Sequence, residues 1–404
     1  MERSKSRIKE DLMPEGLGIA VIGAGMAGKA HAAAYREAPT LYESSLPKLR
    51  FVSIADVNAG LAAATAKRFG YERSDTSWRA IAASDDIDVV SVVIANSLHR
   101  EVVEGLLAAG KHVLCEKPLS DTLAAAKAMA ATAAAATPVA RIGFTYRRAP
   151  GIAAIQNWIA DGTLGRVLHF SGKYWCDYSC SPDAPMSWRY QGPPGSGALA
   201  DIGSHMTYIA EFLCGPMQSV SGGSFRTVIA ERPMPLGAVI GHAHAEVSDD
   251  FRPVENDDYA AYNAEFANCG GSIEASRVAA GYPNGLNFEI FCENGAASFH
   301  QDRPSQVRLY LNGGPAGENG YRTVNLGSDH PYLAAGMAMD VAGVGFGQNQ
   351  CFSYQARAFL EEVAGIDEAA SRPRNASFDD GVHNMEILTA VAESAANHGK
   401  KVSL

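Results

Sequence analysis

The chain lacks any apolar run of the roughly 18 residues that a membrane span needs. Its most alanine-rich stretch, Ala124 to Ala136, is interrupted by Lys127. A basic excess is also missing: 34 Lys and Arg stand against 44 Asp and Glu, a formal net charge of -10. That balance excludes nucleic acid and an anionic membrane surface as partners, since both attract basic faces. Cysteines are few and odd in number, seven in 404 residues, which suits the reduced thiols of a cytoplasmic protein better than a disulfide framework. Cys176 and Cys180 have no second pair at zinc spacing, so no metal site is expected. Met1 to Gly16 lacks the apolar core of a secretory signal and reads as a loose tail. His242 and His244, between glycine- and acid-rich segments, read as a solvated loop rather than a ligand pair.

What is present is an ordinary globular composition, 47% hydrophobic and 19% charged, in a chain long enough for two cores. From Leu17 to about Tyr146, short β-branched runs alternate with helical stretches, the pattern of βαβ units in a parallel sheet. The expected strands are Gly18 to Ile22, Leu49 to Ala55, Val89 to Ala95, His112 to Cys115 and Val139 to Phe144. After Ala149 the texture changes to longer alternating segments separated by Gly, Asn and Pro, which predict a mostly antiparallel sheet. Expected strands there are Leu168 to Tyr174, Tyr259 to Ala267, Gly271 to Val278, Leu286 to Cys292 and Val307 to Asn312. Helical spacing runs over Pro194 to Cys214, Phe352 to Val363 and Phe378 to Asn397. The predicted fold class is α/β: a doubly wound domain over residues 17–149, then an α/β domain with an open sheet over 150–404.

Gly23-Ala-Gly25-Met26-Ala27-Gly28 follows the first strand and opens a helix. In that context the first glycine permits a tight turn, the second lets backbone approach a pyrophosphate, and the third allows close helix packing. N–H groups at the helix start then bind phosphate. Asp56 ends the next strand, where a carboxylate accepts from ribose hydroxyls and repels a 2′-phosphate; this favours NAD over NADP. It lies 56 minus 28, or 28, residues beyond Gly28, where about 20 is usual. Pro39 to Lys48 reads as the insertion responsible.

Glu116-Lys117-Pro118 ends the strand begun at His112, so Lys117 stands at the sheet edge where open α/β sheets bind ligands. Proline keeps the preceding residue extended and admits a cis bond. An isolated Lys-Pro would read as a surface loop. Asp201 and His205, four apart in an expected helix, share a face; histidine exchanges a proton near neutral pH and a carboxylate orients its ring. The residues alone also allow a pair that merely decorates the helix.

In order along the chain, the glycine turn, Asp56, Asn96-Ser-Leu-His99, Glu116-Lys117-Pro118, Gly143-Phe-Thr-Tyr146-Arg147, Trp188-Arg189 and Asp201-x-x-x-His205 resemble the Gfo/Idh/MocA oxidoreductase family. So does the ending, Ser377-Phe-Asp-Asp-Gly381 and Gly399-Lys-Lys-Val402, and the resemblance spans Leu17 to the C-terminus. It implies a Rossmann domain and a second domain whose open sheet commonly forms an oligomer interface, hence a homo-oligomeric dimer or tetramer. It further implies that Lys117, Asp201 and His205 are the catalytic set and border the substrate, as do Tyr146 and Arg147. Glu116, Asn96 and His99 are expected near the nicotinamide, with Trp188 and Arg189 also approaching the cofactor. Ala95 stands where proline is usual and Thr145 where asparagine is frequent.

The expected chemistry is oxidation of a secondary hydroxyl, with His205 taking the proton, Asp201 orienting it and Lys117 stabilising charge on the oxygen. Tyr174, Trp175, Tyr178, Trp188 and Tyr190 amid Asp, Ser and Gln suit a sugar or cyclitol, or else a packing cluster. Phe144 to Pro150, Pro185 to Arg189, Gly195 to His205 and Asn287 to Ile290 most resemble a branch of the family that acts on anhydrosugars. Oxidation at a pyranose 3-hydroxyl is what that implies. Inositol dehydrogenation, an NAD-dependent glycosidase with redox cycling and a non-catalytic NAD-binding regulator are the alternatives.

Overall fold

The computed structural model describes residues 16–42, 46–237, 245–315 and 318–404; the tail up to residue 15 and both His242 and His244 lie outside them. No described helix is long and apolar enough to cross a membrane. The seven cysteines are free thiols. The chain divides into two compact units. One runs to Gly143 and takes in Phe352–Gly381; the other holds Phe144–Cys351 and Val382–Leu404. The segment 352–381, expected in the second domain, therefore belongs with the first. Phe359 and Leu360 are buried in one cluster with Ile19, Val21 and Tyr35. Arg141 donates to both Glu362 carboxylate oxygens at 2.8 and 2.5 Å.

The first unit is built on strands β1 (Leu17–Ile22), β2 (Leu49–Ala55), β3 (Arg73–Asp75), β4 (Val89–Val92), β5 (His112–Glu116) and β6 (Ala140–Gly143). They form one sheet in the order β3-β2-β1-β4-β5-β6, and every pairing is parallel. β1 and β4 are buried along their whole length, as continuous apolar runs in a sheet covered on both faces must be. Strand order reverses between β1 and β4, so the ligand crevice of this topology lies off their carboxyl ends. β3 escaped the sequence reading because it is three residues, Arg-Ser-Asp, with no apolar member.

In the second unit β7 (Val167–Trp175), β8 (Met217–Arg226), β11 (Tyr259–Phe266), β12 (Gly270–Ser276), β13 (Gly285–Cys292), β14 (Gly295–His300), β15 (Gln306–Leu311), β16 (Arg322–Asn325) and β17 (Val402–Ser403) form a nine-stranded sheet. Every neighbouring pair is antiparallel except β7 with β12. β11 shows why one face is core: Ala260, Tyr262, Ala264 and Phe266 are buried while Asn263 and Glu265 between them are exposed. A separate hairpin pairs β9 (Glu231–Pro235) with β10 (Val247–Pro253). The helix Ser204–Cys214 lies on the sheet, preceded by a wider π turn over Leu199–Gly203 in place of the regular helix expected there.

Candidate active site

In the first unit the glycine turn leaves β1 and enters the helix Met26–Glu37. Gly23 has φ 105°, and a Cβ there would stand 2.0 Å from the Val93 carbonyl oxygen. At Gly28 a Cβ would meet the Gly23 oxygen at 1.8 Å, so helix and turn touch backbone to backbone. Gly25 differs: nothing lies within 4 Å of its Cβ position. Nor does a side chain cap this helix, whereas Asn58, Ser77 and Thr122 cap the helices they precede. Its first N–H groups, near an exposed Met26 and half-buried Ala27, are left for an anion. Asp56 fixes the turn, accepting from Ala24 N at 2.8 Å through one oxygen and from Asn58 N at 2.9 Å through the other. Each oxygen keeps acceptor capacity, as a ribose diol requires.

The groups after β4 and β5 stand at the same edge. Asn96 opens a short 3₁₀ turn and is half-buried. Ala95, in place of the usual proline, has φ -63° and ψ 137°, a conformation proline itself adopts, so the departure leaves the backbone as it was. Glu116 accepts from His31 Nε2 at 2.9 Å and from Lys117 N at 3.2 Å. His31 Nδ1 lies 2.9 Å from Ser91 Oγ, itself 2.8 Å from Tyr35 Oη, so a buried polar chain holds Glu116 from the core side. Lys117 is half-buried and its bond to Pro118 is cis. His99 corrects an expectation. Its ring is 0% exposed, with Nδ1 3.2 Å from Leu119 O and Nε2 3.1 Å from Ile94 O, so a neutral ring donates to one of these carbonyls and is enclosed by protein on every side. Burial pushes its pKa down, keeping the ring neutral.

In the second unit Asp201 sits in the π turn and His205 in the first turn of the helix that follows, both half-buried. Such insertions occur often at functional sites. Tyr178 Oη donates to Asp201 Oδ2 at 2.7 Å; burial and the adjacent carboxylate both push the phenol pKa up and keep it a donor. The His205 ring meets Tyr146 edge-on at 4.8 Å and Tyr174 at 6.0 Å. Tyr146 and Tyr174 share a 2.6 Å hydrogen bond, extended to Gln301 and Asn284. Arg147 donates to Tyr208 Oη at 2.7 Å and lies 5.0 Å from the Phe212 ring, so it braces the helix that carries His205. Trp188 is 48% exposed with the Arg189 guanidinium 4.4 Å over its ring. The aromatic run is thus divided in use. Tyr190 is buried beneath Arg232 and Arg277, a packing role, while Tyr178 turns its hydroxyl to Asp201 and Tyr174 lays its ring 6.0 Å from His205.

Residues 17–144 match the model of the oxidoreductase family with an NAD-binding Rossmann fold, and residues 152–298 match the GFO/IDH/MocA C-terminal domain. The levoglucosan dehydrogenase of Pseudarthrobacter phenanthrenivorans is 36% identical over 387 residues, 95% of this chain and 97% of that protein. This chain belongs to the Gfo/Idh/MocA oxidoreductase family. A solved levoglucosan dehydrogenase complex with NADH and levoglucosan superposes with a TM-score of 0.85 at 35% identity, covering 96% of this chain and 99% of that one. An inositol dehydrogenase homolog from Azotobacter vinelandii, complexed with NADH and myo-inositol, has a TM-score of 0.76 at 21% identity, over 96% and 98% of the two chains; that likeness is one of fold. The NAD-binding domain of this family fits the residues found here: open space at Gly25, an uncapped helix start and an anchored Asp56.

Several residues that shape the site carried no sequence signal. His31 reads as one polar residue in an alanine-rich helix, and Tyr178 as one more aromatic. Arg277 and Asp258 form a buried ion pair at 2.8 Å, 1% and 0% exposed, which ties together the adjoining ends of β11 and β12. Removing either partner of such a pair costs about 3–5 kcal/mol.

Proposed function

We propose that this protein is an NAD-dependent dehydrogenase that oxidises a secondary hydroxyl of a sugar or anhydrosugar to the ketone, the 3-hydroxyl of a pyranose in particular. The observation that carries this reading is the end-to-end likeness to levoglucosan dehydrogenase, 36% identical over 95% of the chain. It is supported by the surroundings of Asp201 and His205: the Tyr178 hydroxyl donates to Asp201, and the rings of Tyr146 and Tyr174 lie against His205.

NAD, when bound, accepts the hydride from the carbon being oxidised. The chain's own residues handle the proton and the charge. His205 takes the hydroxyl proton, Asp201 orients the imidazole and favours its protonated form, and the Lys117 ammonium stabilises charge on the oxygen. In reduction His205 donates. The glycine turn with Met26 and Ala27 holds phosphates and Asp56 the ribose, with Asn96, Glu116, Trp188 and Arg189 on the nicotinamide side. Tyr146 borders the sugar. Asp56 is followed by Val57 and Asn58, neither of which would balance a 2′-phosphate, which supports NAD over NADP. The exposed face of the nine-stranded sheet, with Leu168 45% exposed, supports assembly into a homo-oligomer, and the free thiols support a reducing cytoplasmic compartment.

The test is a panel of levoglucosan, other pyranosides and inositols, each offered NAD and NADP, with reduced cofactor measured by absorbance. NAD-dependent oxidation of a pyranose or anhydrosugar is expected. Turnover confined to inositols would move the substrate class, and glycoside cleavage without net NADH would point to a redox-cycling glycosidase.

A further inference from the structure

We propose that Asn256 and Asp257 are positioning residues that divide the site between them: Asp257 sets the helix carrying Asp201 and His205, and Asn256 sets the Trp188–Arg189 segment. The proposal rests on the functional reading above.

Asp257 is 1% exposed and precedes β11, which is paired on both sides within the sheet. Its Oδ1 accepts from Gly195 N at 2.7 Å and Gly197 N at 3.0 Å, and its Oδ2 from Leu199 N at 2.9 Å. Its backbone oxygen accepts from Ala198 N at 2.8 Å. A Cβ on Gly197 would lie 2.1 Å from that oxygen, so the segment must be bare backbone to come this close. The turn that begins at Leu199 then carries Asp201. A helix that needs only an N-terminal cap takes one from an adjacent Ser, Thr, Asn or Asp. Here Ser196 is at hand, yet its hydroxyl donates to Pro193 O instead. A cap from about sixty positions away along the chain does more than end a helix: it fixes that helix against the sheet.

Asn256, also 1% exposed, uses its amide in the opposite sense. Its Nδ2 donates to Arg189 O and Gln191 O, each at 3.1 Å, and to Ser196 Oγ at 3.2 Å. Its Oδ1 accepts from Arg277 at 2.8 Å, and Arg277 itself donates to Arg189 O at 2.8 Å. Two neighbouring side chains thus grip two functional segments through different atoms.

The experiment is a kinetic split in the full-length enzyme. Asp257→Asn keeps the shape but puts an NH2 against backbone donors; kcat should fall about tenfold or more while the Kd for NAD, read by fluorescence titration, stays within about twofold. Asn256→Asp removes the donors facing Arg189 O and Gln191 O; the Kd for NAD should rise about tenfold, with kcat at saturating NAD within about threefold. Parallel changes of kcat and Kd in both variants, or no change in either, would overturn the proposal. His205→Asn is run beside them. Loss of turnover there with wild-type kcat in Asp257→Asn sinks the positioning role alone, whereas wild-type turnover in His205→Asn sinks the catalytic reading. Should the variants not fold, hydrogen exchange in the wild-type protein decides: the amides of Gly195, Gly197 and Leu199 should exchange as slowly as those of β11, and rapid exchange would overturn the grip.

Discussion

The turn from Gly23 to Gly28 and the turn from Gly195 to Leu199 both carry spaced glycines and both run into a helix, yet the protein uses them in opposite ways. The first meets empty space at Gly25 and has no side-chain cap; the second is filled by the Asp257 carboxylate, which takes three of its N–H groups. One helix start carries no side-chain cap, and the other is satisfied by the protein's own carboxylate. A glycine-rich turn is therefore a statement about close approach, and only the tertiary partner says whether a ligand or a side chain approaches.

If ligand-facing positions are those the protein leaves empty, replacing them should spare stability and remove function. The largest effect on turnover is expected at the proposed catalytic Lys117, where Lys117→Met should lower kcat about 10²- to 10³-fold with NAD affinity nearly unchanged. Near-normal turnover would remove Lys117 from the catalytic set. At the filled turn, Gly197→Ala drives a methyl into the Asp257 carbonyl and should destabilise the protein without ligand by about 1–3 kcal/mol, measured by denaturant unfolding. Gly25→Ala should do the reverse, leaving the ligand-free protein intact and weakening NAD binding by about 1–2 kcal/mol in calorimetry. Equal stability losses in the two alanine variants would erase the contrast between the turns.

A smaller effect is expected at Tyr178→Phe, which removes the donor to Asp201 Oδ2 and should lower kcat by about 1 kcal/mol in barrier while shifting its pH profile. The last concerns His99. Its folded pKa lies below its unfolded value, so the unfolded chain binds the proton first. Stability is then full above the unfolded pKa and is lost as pH falls toward the folded one. Melting temperature should drop from neutral to mildly acidic pH, and His99→Gln should flatten that slope.

The two units also differ in how far the sequence discloses them. Gly23 to Gly28, Asp56 and Glu116-Lys117 are legible because each is a local pattern at a strand end, and the parallel topology carries them to one edge. The second unit's proposed catalytic residues needed the family resemblance to stand out, since Asp201 and His205 alone are two polar residues on a helix. What supports them was hidden for a physical reason. Asn256, Asp257 and Arg277 act on backbone N–H and C=O groups of Arg189 to Leu199, and backbone partners leave no trace in residue identity. Burial misled once as well: His99 follows Asn96 by three residues but turns into the core.

The central claim, oxidation of a sugar carbon at the expense of NAD, is tested most directly with levoglucosan deuterated at the 3-position, incubated with the enzyme and NAD. The account predicts deuterium in the reduced cofactor and a 3-keto product in equal amounts. Reduced cofactor without deuterium would contradict the position of oxidation, and tight NAD binding with neither product would contradict the dehydrogenase itself.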